Sequence, residues 1–343
     1  MKYNFFNDYS EGAHPNILKA LEESNLIQET GYGLDSFSLK AQELVRALVK
    51  NKDVDVHLVS GGTQANLIVL ASILKPYESI ISATSGHINT HEAGAVEATG
   101  HKIDAIEAPD GKLTPELITN LVAEHEDEHM VKPRVVFISN STEVGTIYKK
   151  KDIERLSAYC REHHLYLYLD GARLGSALTS SENDLTLADI CSLTDVFYIG
   201  GTKNGAFLGE AIVIRNKELQ KEFRRMMKQR GALLAKGRVL GIQFAELLRD
   251  NLFFDLAKHA NEMAARLSSG IAKLGFKFLT NSPTNQIFPI LPNRVIEKIQ
   301  TMYGFYVWSK VDDKSSSIRL VTSWATKEEA VEEFLADIKS VVS

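Results

Sequence analysis

The sequence predicts an α/β protein with a mostly parallel central sheet, followed by a smaller α+β module. Three observations predict this. Short β-rich runs alternate with longer amphipathic stretches through most of the 343 residues, which implies right-handed crossovers between parallel strands. The β-rich runs are nearly continuous apolar stretches, as strands covered on both faces require. Beyond about residue 245 the alternation stops and a different mixture of helix and strand begins.

The elements follow in order. SLKAQELVRALVK (residues 38–50) reads as a helix with Leu39, Leu44, Val45 and Leu48 near one face, and VDVHLV (54–59) as a strand. TQANLIVLASIL (63–74) is a helix stopped by Pro76, and SIISA (79–83) a strand. HEAGAVEATG (91–100) predicts a small-residue helix closed by Gly100. Thr114-Pro115 opens another, with proline at the first helical position. RVVFIS (134–139), LYLYLD (165–170), DVFYIG (195–200) and AIVIR (211–215) are strands, and residues 151–164 a helix. The C-terminal module predicts a long helix (252–274), then FKFLT, QIFPILP, a helix from Arg294, YGFYVW, a polar turn, SIRLVTS and a last helix from Lys327. The expected organisation is an N-terminal segment 1–35, a large α/β domain 36–245 and a small α+β domain 246–343.

Composition excludes several classes. Hydrophobic residues make up 44% and charged residues 24%, which is ordinary for a globular chain. The formal net charge of −5 and the lack of a sustained basic run argue against nucleic acid or an anionic membrane as partner. Cys160 and Cys191 fit no CxxC pattern and read as reduced thiols. The first residues lack an apolar core of signal-peptide length, and no apolar run reaches the roughly 20 residues of a membrane span. The expectation is a cytoplasmic protein.

In a parallel α/β sheet ligands bind outside the carboxyl ends of the strands. VDVHLV is followed by Ser60-Gly61-Gly62-Thr63-Gln64, opening a helix. That is either a tight turn or a phosphate cradle of free N–H groups. SIISA is followed by His87, a surface residue or a ring that could stack on a planar cofactor. LYLYL ends in Asp170, a helix cap or a carboxylate for a cationic ring nitrogen. DVFYI is followed by Lys203 in a loop of small residues, where a desolvated amine would have a lowered pKa. Each signal alone is ambiguous. Together they supply the anchor, ring neighbour, acid and amine that pyridoxal 5'-phosphate (PLP) needs.

Along essentially its whole length the chain resembles the threonine aldolase and β-eliminating lyase family of fold-type-I PLP enzymes. The residues carrying this are GYGLD (31–35), GGTQAN (61–66), GHINTHEAGAVEATG (86–100), DGARLG (170–175), GGTKNG (200–205), KQRGALLAKG (228–237) and RLVTSWAT (319–326). The resemblance implies that Lys203 holds PLP covalently, Asp170 pairs with the ring nitrogen and His87 stacks on the ring. It implies phosphate contacts from Gly62, Thr63 and Gln64. Arg319 is the implied carboxylate clamp for a small amino-acid substrate, with Arg173 near both cofactor and carboxylate. Tyr32 resembles a residue that enters a neighbouring subunit's site. Lys228 or Arg230 resembles one that reaches the partner's phosphate. A homodimer or homotetramer with shared sites is therefore expected.

One position departs from the family pattern. Family aldolases often place a histidine near the substrate β-hydroxyl, after the strand that here is RVVFIS. This chain has Glu143 there. The implied reaction is cleavage of the Cα–Cβ bond of threonine or allo-threonine to glycine and acetaldehyde, with β-elimination or racemisation as the alternative from the same apparatus. Two competing readings are weaker. His125-Glu126-Asp127-Glu128-His129 matches the HExxH zinc pattern, on a stripe continued from Leu117 and Leu121, but its surroundings are charged on every side. No metal is expected. A catalytically dead relative would be expected to have lost one of Lys203, Asp170, His87 or Arg319.

Overall fold

Strands buried on both faces must be apolar at every position, and the main sheet shows why. Along the central strands alternate side chains enter two different cores. Val136, Ile138, Phe197, Ile199 and Val213 pack on one face. Their sequence neighbours Val135, Phe137, Val196, Tyr198 and Ile212 pack on the other.

A computed structural model describes residues 1–342. Its strands are β1 (Tyr3–Asn4), β2 (Asp55–Val59), β3 (Glu78–Ala83), β4 (Ile103–Ile106), β5 (Lys132–Ser139), β6 (Tyr166–Asp170), β7 (Val196–Gly200), β8 (Glu210–Ile214), β9 (Gln286–Ile287), β10 (Ile290–Pro292), β11 (Tyr303–Gly304), β12 (Tyr306–Lys310) and β13 (Ser315–Val321). Seven form the main sheet in the order β2-β8-β7-β6-β5-β3-β4. Only β8 is antiparallel to its neighbours, β2 and β7. The pairs β3–β4, β3–β5, β5–β6 and β6–β7 are parallel. Since β2 and β7 each oppose β8, they run the same way. The carboxyl ends of β2, β3, β5, β6 and β7 therefore share one edge.

The C-terminal module has its own core of Leu267, Ile287, Leu291, Ile299, Ile318, Leu320, Phe334 and Ile338. The chain's first residues join it. β1 pairs in parallel with β11, and Phe5 is fully buried in this core. From there the chain crosses to the edge of the main sheet, where the His14 amide donates to the Gly205 carbonyl at 2.8 Å.

Three expectations are corrected. Residues 91–100 do not form one helix. A short helix, His87–Thr90, and a 3₁₀ turn, Glu97–Thr99, flank a break at Ala93 and Gly94, whose φ values are +50° and +72°. FKFLT contributes one isolated bridge, Phe278 to Pro289, rather than a strand. In the first long helix (Ser36–Leu48) Leu39 is exposed, and Ser38, Ala41 and Val45 make the buried face.

Candidate active site

Each strand end contributes one side chain or one turn. After β2 the helix Gly62–Ile73 begins at Gly61 with no side-chain cap, so its first-turn amides are open to an anion. A Cβ on Gly62 would meet the Tyr198 hydroxyl at 3.0 Å, so a larger residue would crowd this cradle. After β6, Gly171 is obligatory. A Cβ there would lie 1.7 Å from the Tyr198 carbonyl oxygen, so only glycine lets the β6 and β7 turns stack.

Asp170 is buried and fully oriented. Its Oδ1 accepts from the Tyr198 hydroxyl (2.5 Å) and the Ala172 amide (3.0 Å), and its Oδ2 from Asn66 Nδ2 (3.2 Å). Lys203 lies on the loop that joins β7 to β8. Burial pushes its amine below the ordinary lysine value, and the nearby Arg173 charge pushes the same way. Glu143 accepts through one oxygen from the His87 amide (3.0 Å) and the Ser139 hydroxyl (2.7 Å). Burial raises its carboxyl above the usual range. The Ser139 bond opposes that rise and the charge of Asp170 adds to it.

These groups line one cavity of about 370 Å³, together with Gly62, Thr63, His87, Arg173 and Glu210. An adjoining cavity of about 700 Å³ shares His87, Glu143, Arg173 and Lys203 and extends to Tyr306, Trp308 and Arg319. The Arg319 guanidinium lies 5.0 Å from the ring centres of both Tyr306 and Trp308. Its Nη2 donates to the Phe6 carbonyl at 3.4 Å, and its buried Nε has no partner. Burial and the Arg173 charge lower its pKa from the ordinary arginine value. Such a group calls for an anionic partner.

The two arginines differ. The Arg173 fork is held by Asp8, with Nε–Oδ2 at 2.7 Å and Nη2–Oδ1 at 3.0 Å. Asp8 is buried and also accepts from Asn285 at 2.9 Å. Four more candidates lie outside the cavities. The Gln64 carbonyl accepts from Ser60 N (3.0 Å) and Oγ (2.8 Å) rather than lining the cavity. Tyr32, Lys228 and Arg230 line neither cavity, and the Lys228 ammonium instead lies 4.7 Å from the Tyr32 ring centre. The zinc-like stretch also fails as a motif. The helix Pro115–Glu124 ends before it, and His125 is its cap, so the two histidines do not share a helical face.

The β-eliminating lyase family model matches residues 12–293. The chain belongs to that family. It is 34% identical to a low specificity L-threonine aldolase of a Pseudomonas species, over 99% of this chain and 98% of that one. A solved Leishmania major threonine aldolase superimposes with a TM-score of 0.98 at 50% identity, covering 99% of this chain and 100% of that one. A Thermus thermophilus aspartate aminotransferase matches at a TM-score of 0.74 and 14% identity, covering 99% of this chain and 91% of that one, which establishes the shared fold-type-I architecture alone.

Within this β-eliminating lyase family member, five site residues escaped the sequence reading: Asp8, Asn66, Glu92, Tyr198 and Glu210. Glu210 opens the apolar run of β8 with a carboxylate, the same signal that marked Asp170 at the end of β6. It accepts from the Gly201 amide at 3.0 Å, and burial pushes its carboxyl up to about 8. Asp8 carried no local signal, because its partner lies 165 residues away.

Proposed function

We propose that the protein is a PLP-dependent lyase that cleaves the Cα–Cβ bond of threonine or allo-threonine, giving glycine and acetaldehyde. The observation that carries the reading is one cavity holding an uncapped helix start, a tethered carboxylate and a desolvated lysine, with an unpaired arginine beside it. The names of the relatives support the choice of substrate.

The residues fit the cofactor. The Gly62 and Thr63 amides suit its phosphate, Asp170 its ring nitrogen, His87 its ring face and Lys203 its aldehyde. Bound there, PLP supplies an electrophile for the substrate amine and a ring that takes up the electron pair released at Cα. Arg319 holds the substrate carboxylate. Burial disfavours the charged form of the Lys203 amine, which suits a group that must react as a neutral amine with the cofactor aldehyde. The β-hydroxyl proton passes to Glu143, to His87 or to a water they hold. The O–H electron pair becomes the carbonyl bond of acetaldehyde as Cα–Cβ breaks, and Cα then takes a proton to give glycine. Burial raises the basicity of Glu143, which suits a proton acceptor at this position.

We further propose a homo-oligomer in which Tyr32 and either Lys228 or Arg230 serve a neighbour's site. The packing of Lys228 on Tyr32, outside the cavity of their own chain, supports this. Product analysis tests the reaction. With L-threonine and L-allo-threonine, the PLP-loaded protein should release acetaldehyde and glycine in equal amounts. A 2-oxo acid with ammonia would move the function to elimination.

A further inference from the structure

His87 meets the cavity with a ring whose other edge is tied into the protein. Its Nδ1 lies 2.8 Å from Glu92 Oε1. The same oxygen accepts from Asn66 Nδ2 at 2.7 Å, and Asn66 Nδ2 also donates to Asp170 Oδ2 at 3.2 Å. The Asn66 carbonyl accepts from the Tyr168 hydroxyl at 2.8 Å. Asn66 is fully buried and the Glu92 side chain has no exposed surface.

The chemistry of the donors fixes the polarity of this chain. The Asn66 amine must face the two carboxylates, because only the N–H₂ end can donate to both. One amide thus separates two buried carboxylates and satisfies an oxygen of each. Glu92 Oε1, already taken as acceptor by Asn66, accepts again from the ring. Its Oε2 is buried with no partner, so no second group competes for its orientation. A ring that donates from Nδ1 is bare at Nε2 when neutral.

We propose that Glu92 is a positioning residue. Through the buried chain His87–Glu92–Asn66–Asp170 it holds His87 as the Nδ1–H tautomer and presents a proton-accepting Nε2 to the cavity. It is the orienting third member that a base requires, and it links the stacking ring to the carboxylate assigned to the cofactor nitrogen.

The role in turnover rests on the aldolase reading, whereas the tautomer does not. Nitrogen-15 NMR of histidine-labelled protein, with and without PLP, reads the tautomer directly, and the His87 signals are assigned by their loss in His87→Phe. The wild type should show a protonated Nδ1 and a bare Nε2 in both forms. Glu92→Leu should shift the ring toward Nε2–H and lower kcat for threonine by about tenfold or more, with KM within about threefold, as expected for losing part of a general base worth roughly 10²–10⁴-fold. Glu92→Gln, whose carbonyl still accepts, should keep Nδ1–H and restore much of kcat. An Nε2–H ring in the wild type overturns the proposal without any variant. So does an Nδ1–H ring that persists in Glu92→Leu, or unchanged kcat once the tautomer has switched. Failure of the wild type to cleave threonine would count against the aldolase reading alone.

Discussion

Replacing Arg319 with leucine tests the substrate clamp. Arg319 donates only to Phe6, over a long 3.4 Å, and keeps a buried Nε without a partner. A bound carboxylate would take two charge-assisted hydrogen bonds, each worth about 1.5–3 kcal/mol. Taking the low end for a partly open cavity gives about 3 kcal/mol, or roughly a hundredfold or more in kcat/KM at 1.4 kcal/mol per decade. The clamp acts on ground and transition states alike, so most of the loss should fall on KM. Arg319→Lys keeps the charge but loses the fork and its hold on Tyr306 and Trp308, so it should recover only part of the loss. Acetaldehyde release, coupled to alcohol dehydrogenase, measures this. L-threonine amide, which has no carboxylate, provides the control, because the variant should lose little toward it. A loss under about threefold with threonine, or an equal loss with the amide, would refute the assignment.

Two further predictions concern stability. Asp8→Ala leaves the Arg173 guanidinium without its acceptor and Asn285 with only the Thr322 carbonyl, and should cost about 3–5 kcal/mol in urea unfolding of the cofactor-free protein. Adding Arg173→Leu should return part of that, and a cost below about 1 kcal/mol would place the pair with ordinary surface bridges. His57 is buried on β2 against Phe223, and burial lowers its pKa to about 4. The unfolded chain takes up a proton between pH 6.5 and 4 that the fold refuses, so stability falls across that window as pH falls. The His57 contribution is about 3 kcal/mol, and His57→Leu should flatten this part of the melting-temperature profile relative to wild type.

The strands were legible because both faces of the sheet are buried, so runs such as RVVFIS carry an apolar residue at every step. The reversal of β8 was not. AIVIR has the composition of a parallel strand, and its direction is set by the short loop carrying Lys203 rather than by any residue within it. The site residues that could be read were those placed at the carboxyl ends of strands, where Asp170 and Lys203 break an apolar pattern. Glu92 and Asn66 lay inside segments already singled out, but their role depends on bonds across 26 and 104 residues. The small alanines of 91–100 suggest a helix, but Gly94 at a φ of +72° breaks it, with Ala93 also at positive φ.

The charges of the cavity explain why one arginine and not the other is available to a substrate. Arg173 has spent its fork on Asp8, whose carboxyl the Arg173 charge helps hold below the ordinary range against the opposing effect of burial. Of the carboxylates near Lys203, burial pushes Glu210 up to about 8, and it raises Glu143 as well. Asp170 keeps its acceptor role through three donors rather than through a cation. Arg319 is left with two aromatic faces, one long bond to a carbonyl and an unpartnered Nε. An incoming carboxylate therefore meets a guanidinium whose desolvation is already complete on the Nε side, and binding there need not break an existing ion pair. The same carboxylate at Arg173 would have to displace Asp8 and leave a buried anion unpaired. The N-terminal segment, by delivering Asp8 to Arg173, leaves Arg319 as the cavity's guanidinium without an ion pair.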